Sequence, residues 1–165
     1  MTTGALIAAT VGCATFASVG VLGHAEPLAL ARLAVLGAAL AAAAFFDLTQ
    51  RRIPNRIVLP AAATCAALTL AAGAPLSLLA GLATVLILLI VSLRWPTALG
   101  MGDVKLALLM VLGLDGDALR ALALGLVLAA LAGVALLIPH GRTAWRTSLP
   151  MAPFLVVGAL LTVVA

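Results

Sequence analysis

The sequence predicts an all-α protein, a polytopic transmembrane helical bundle of about seven spans, and three observations carry that prediction. The first is balance: of 165 residues, 65% are hydrophobic and 8% are charged, which no soluble domain of this size sustains. The second is repetition. Apolar runs of about 20 residues, the length that crosses a bilayer, recur from one end of the chain to the other. The third is where the charges sit: the cations fall in short segments between the apolar runs, not along one basic face. That distribution excludes nucleic acid as a partner and makes the lipid bilayer the expected surroundings.

Hydropathy places span 1 at about 4 to 22, with a turn at His24-Ala25-Glu26-Pro27. Residues 1 to 31 hold no Lys or Arg, so this start lacks the positive region of a cleaved signal and reads as a retained span. Span 2, about 28 to 46, ends at Phe45-Phe46-Asp47, and a polar loop runs from Leu48 to Arg56. In that loop Pro54 cannot continue a helix, while Asn55 can bond its own backbone or cap the next one. Span 3 covers about 57 to 72, Gly73-Ala74-Pro75 is a turn, and span 4 covers about 76 to 93. After a loop from Arg94 to Gly102, a short span 5, about 103 to 114, stops at Asp115-Gly116-Asp117. Span 6 is about 118 to 138, the segment Pro139 to Pro150 is a loop, and span 7 is about 151 to 165. The chain reads as one integral-membrane domain, 1–165, with 1–27 an additional N-terminal span and turn ahead of a core at 28–165.

Orientation follows from the cations. Arg51, Arg52 and Arg56 share one loop, Arg94 and Lys105 flank a second, and Arg142 and Arg146 lie in a third. With seven spans these loops share a side, which the positive-inside rule makes cytoplasmic. Arg32 and Arg120 fall toward the other face, each near enough to a span end to snorkel. Trp95 and Trp145 then sit at the cytoplasmic interface as anchors. Cys13 and Cys65 lie in apolar runs with no CxxC, so they read as core residues. His24 and His140 fall on opposite faces and cannot share a metal, so neither metal nor cofactor is expected.

The same topology sorts the five acids. Glu26, Asp115 and Asp117 fall in outer turns and read as solvated, whereas Asp47 and Asp103 fall together at the cytoplasmic edge. A carboxylate beside lipid-length segments is expensive and points to function. Two that meet across a water can divide acid and base roles in peptide hydrolysis, since close carboxylates do not readily both ionise. Helix ends alone put Asp103, opening span 5, as the ionised partner and Asp47, closing span 2, as the protonated one. Gly100 and Gly102 beside Asp103 permit backbone shapes and close approach that a side chain blocks. Lys105, two positions past Asp103, can lower that acid's charge cost or anchor the interface.

Together these residues carry a resemblance. Asp47 six positions before Ile53-Pro54-Asn55, then Gly100-Met101-Gly102-Asp103-Val104-Lys105, then Pro150-Met151-Ala152-Pro153-Phe154, resembles the type IV prepilin peptidase family of GxGD aspartyl proteases. The resemblance covers about 28 to 165. It implies removal of the leader from prepilins or pseudopilins at the cytoplasmic face, in a multi-pass plasma-membrane protein. It also implies Asp47 and Asp103 as the catalytic pair and water as nucleophile, without metal or covalent intermediate. Ile53, Pro54, Asn55, Gly100, Gly102, Lys105, Pro150, Pro153 and Phe154 would support the site or bind substrate. Larger members also carry a cytoplasmic insertion with paired CxxC motifs and methylate the new N-terminus. This chain has neither, and looks like the compact, peptidase-only type found with tight-adherence (Flp) pilus systems. The competing readings are a small transporter or assembly subunit without enzymatic activity, and a preflagellin-type peptidase with the same chemistry. The sequence leaves the oligomeric state open.

Overall fold

The structure, a computed structural model, describes residues 3–22, 26–73, 76–96, 99–140 and 150–165. Seven α-helices follow one another: α1 (Thr3–Leu22), α2 (Pro27–Gln50), α3 (Asn55–Ala71), α4 (Ser77–Arg94), α5 (Met101–Leu114), α6 (Ala118–His140) and α7 (Ala152–Val164). A 3₁₀ turn, Asp115–Asp117, joins α5 to α6, and no strand occurs among the described residues. Three stretches are long and apolar enough to cross a membrane, Thr3–Val21, Pro27–Gln50 and Met101–Leu136, and α3, α4 and α7 are shorter apolar helices.

The 36-residue stretch Met101–Leu136 is not one rod. At Asp115 the backbone turns to φ 49°, ψ −121°, and α6 returns antiparallel along α5. Asp103 and Ala107 of α5 therefore line one small cavity together with Leu122 and Leu126 of α6. The 14 residues of α5 rise only about 21 Å, less than a typical hydrocarbon thickness.

Helices α2 and α5 form the centre. Leu36 and Leu40 of α2 and Leu106, Leu109, Met110 and Val111 of α5 are fully buried. Around them, close packing uses small residues rather than apolar area, as helices in lipid require. A Cβ on Gly12 of α1 would strike the carbonyl oxygen of Gly37 on α2, and the reverse holds too. Likewise a Cβ on Gly158 of α7 would lie 2.5 Å from the Ala121 carbonyl oxygen of α6. Leu86, Ile87, Ile90 and Leu93 of α4 point outward, exposed as a lipid-facing surface would be.

The span limits hold to within a few residues, with one correction that matters for the site. Span 2 was expected to close at Asp47, but α2 continues through Gln50. Thr49 donates its hydroxyl to the Phe45 carbonyl, so a polar residue is absorbed inside the helix. The helix ends at Arg51, in the left-handed conformation at φ 51°, whose N–H donates to the Asp47 carbonyl. Asp47 thus lies in the last helical turn, and the connection to α3 shrinks to residues 51–54. His24, Arg142, Trp145 and Arg146 lie outside the described residues.

Candidate active site

One end of the bundle gathers the C-terminal turn of α2 and the N-terminal ends of α3, α5 and α7. Asp47 and Asp103 line a single open pocket of about 340 Å³ there, with Arg51, Arg52, Ile53, Gly100, Gly102 and Lys105 around them. Asp47 is only 9% exposed. Its Oδ2 accepts a hydrogen bond of 3.0 Å from the backbone N–H of Ala152, the first residue of α7. Helix starts leave such N–H groups without intrahelical partners, and here one of them is spent on a buried carboxylate. That donor comes from outside α2, so helix ends alone do not set the order of ionisation expected above.

Asp103 occupies the first turn of α5, which Gly100 opens. On its other side a small apolar cavity is bordered by Leu99, Ala107, Leu122 and Met151. The acid therefore stands between a polar pocket and an apolar one. The glycines serve by leaving space, not by unusual backbone shape. Gly100 has an ordinary φ of −71°, yet a Cβ there would sit 3.3 Å from Asp103 Oδ2. Gly102 is helical, and a Cβ on it would come within 2.9 Å of Ile53 Cδ1. The expectation of special conformations at these positions is corrected accordingly.

Pro54, not Asn55, is the capping residue of α3, with extended φ −73°, ψ 123° and no side-chain cap. The Asn55 side chain faces α5 instead: Lys105 Nζ donates to its Oδ1 at 2.7 Å. This bond ties the short 51–54 connection to the first turn of α5, and so frames one wall of the pocket. Asn55→Ala is expected to loosen that wall by about 0.5–1.5 kcal/mol, measured as faster amide hydrogen exchange over residues 51–55 with the rest of the bundle unchanged.

The last motif enters differently from expectation. Pro150, Pro153 and Phe154 are not among the pocket's lining residues. Pro153 sits in the first turn of α7, where a missing N–H costs nothing. The Phe154 carbonyl oxygen would lie 3.1 Å from a Cβ on Gly125, so this residue packs on α6. The segment's contribution is the Ala152 N–H, which sequence reasoning missed, although a proline-rich helix start was a usable sign of free donors. Trp95 is exposed with the Arg94 guanidinium 5.6 Å from its ring centre. Among the described residues no three His, Cys, Asp or Glu side chains are grouped to hold a metal.

Two readings at the opposite end are overturned. Arg32 does not snorkel and Asp115 is not a solvated loop acid: Arg32 is 9% exposed and forms an ion pair with Asp115.

A family model described as the type IV leader peptidase family matches residues 34–138, more than half of the chain, including Asp47 and Asp103. No curated protein and no solved structure matches.

Proposed function

Because the chain belongs to the type IV leader peptidase family, we propose that it is a membrane-embedded aspartyl endopeptidase that removes the leader peptide from type IV prepilins, Flp-type prepilins or pseudopilins at the cytoplasmic face of the plasma membrane. The observation that carries this reading is the meeting of Asp47 and Asp103, far apart in sequence, around one pocket. Both acids stand at helix ends beside a solvent-open cleft, which suits a protease better than a transporter's mid-span carboxylates.

The chemistry needs only the two side chains and water. The ionised carboxyl takes a proton from a water held between the pair, and that water's oxygen attacks the scissile carbonyl carbon. The protonated carboxyl gives its proton to the carbonyl oxygen, forming a neutral tetrahedral diol. The carboxyl that took the water's proton then delivers it to the leaving amine, while the other regains its proton as the carbonyl re-forms. The C–N bond breaks, and no bond to the enzyme has formed. Gly100 and Gly102 add no side chain of their own to the pocket wall beside Ile53 and Asp103, which leaves a substrate backbone more room to approach the acids. The cations Arg51, Arg52, Arg56, Arg94 and Lys105 on the pocket's side support a cytoplasmic site by the positive-inside rule.

Co-expression with a prepilin tests the reading: the parent chain shortens the substrate by its leader, and variants of either acid leave it intact. The Ala152 N–H provides a finer test. Ala152→Pro removes that donor at the first position of α7, and is expected to lower kcat about 10- to 100-fold. Ala152→Val, which adds similar bulk but keeps the N–H, should lose far less; equal losses would refer the effect to volume.

A further inference from the structure

Helices α2 and α5 each carry one acid of the pair at one end and one half of an ion pair at the other. Arg32 of α2 bonds Asp115 through Nη1, and the same nitrogen donates to Thr69 Oγ1 of α3 at 3.3 Å. Thr69 in turn donates to the Leu112 carbonyl of α5 at 2.8 Å. Three helices are thereby joined at one point. Arg32 and Asp47 are separated by about 22 Å of helix rise, and Asp103 and Asp115 by about 18 Å, so the two contacts bracket the α2–α5 seam.

Three features argue that this junction sets register more than it adds stability. Arg32 Nε and Asp115 Oδ1 are buried without a hydrogen-bond partner, an incomplete arrangement for a pair whose desolvation is costly. Asp115 holds φ 49°, ψ −121°, unfavourable for a side-chain-bearing residue, although Gly116 stands beside it. Such strain persists only where surroundings over-determine it, and a charge partner does that. At the other end the hydrogen bond to the Asp47 carboxyl comes from Ala152 of α7 and not from Asp103, so the meeting of the two acids does not by itself align α2 with α5.

We propose that the Arg32–Asp115 pair is a positioning device: it fixes the rotation and sliding of α2 against α5, so that Asp47 and Asp103 meet. Its consequence for cleavage rests on the peptidase reading, but its effect on geometry does not. The test uses the full chain in membranes, in a Cys13→Ala, Cys65→Ala background carrying Asp47→Cys and Asp103→Cys, treated with a short thiol-bridging reagent. With the pair intact the two introduced thiols should cross-link within one molecule. Asp115→Asn keeps tolerance for positive φ and loses the charge, and is expected to slow cross-linking at least ten-fold. Arg32→Met combined with Asp115→Asn leaves no unpaired charge, and should be recovered in membranes at parental yield yet cross-link as slowly. Arg32→Lys should restore most of the rate. In chains that retain both aspartates, the same substitutions should lower kcat by a similar factor while KM holds. A well-folded double variant that cross-links at the parental rate overturns the proposal. Absence of prepilin cleavage by the parent chain would count against the peptidase reading alone, and the cross-linking rates would still decide the device.

Discussion

Asp47→Asn and Asp103→Asn are each expected to lower leader cleavage by about ten-thousand-fold, the upper range for losing a positioned acid or base. Both substitutions are nearly isosteric, so each variant should reach the membrane and fold. In Asp47→Asn the new amide oxygen would still accept the Ala152 N–H, which keeps α7 docked on α2. What is lost is the proton traffic. If the two carboxyls act as the unit proposed, the double variant should be no slower than either single one. Substrate-binding measurements separate this from a folding failure: the affinity for uncleaved prepilin should change by only a few-fold.

The second large effect is steric. Gly102→Leu is expected to reduce cleavage about a hundred-fold, the scale of an ångström-level displacement at a reacting centre. A Cβ at Gly102 meets Ile53 at Cδ1 (2.9 Å), Cβ (3.3 Å) and Cγ1 (3.4 Å), and the rest of a leucine must go into the pocket or push residues 51–54 outward. Gly102→Ala should cost much less, because the Ile53 tip can rotate aside and its Cβ has only a few tenths of an ångström to yield. Trimming the neighbour in Ile53→Ala removes the closest contact and should soften Gly102→Ala further, while leaving Gly102→Leu largely impaired. Equal damage from alanine and leucine, unrelieved by Ile53→Ala, would mean that α5 itself is disturbed.

The residues behind these two effects were legible in the sequence for different reasons. Asp47 and Asp103 stood out because carboxylates are rare in this chain and topology put both on one side. Gly100 and Gly102 were visible as a motif, but their role as space-makers required Ile53 and the Asp103 carboxyl in place. The helices were legible because apolar runs of lipid-crossing length leave few alternatives. Their ends were less so: Thr49 and Gln50 look like loop, yet Thr49 bonds back into α2 and carries the helix on to Arg51. The Arg32–Asp115 pair was hidden because each partner, taken alone, has an ordinary explanation, and their 83-position separation is closed only by the α2–α5 packing. The same holds for Ala152, whose contribution is a backbone N–H with no side-chain signature.

The proposed mechanism centres on a water, activated by Asp47 and Asp103 together, that cuts a leader from its substrate. The most direct measurement is a single-turnover cleavage of a prepilin in H₂¹⁸O by the chain reconstituted in lipid, with intact-mass analysis of both products. The expected result is one cut ahead of the substrate's apolar helix, one ¹⁸O in the new carboxyl terminus of the leader within the first turnover, and no product from either asparagine variant. Product that persists in Asp47→Asn or Asp103→Asn, or a first-turnover leader that carries only ¹⁶O, would contradict it.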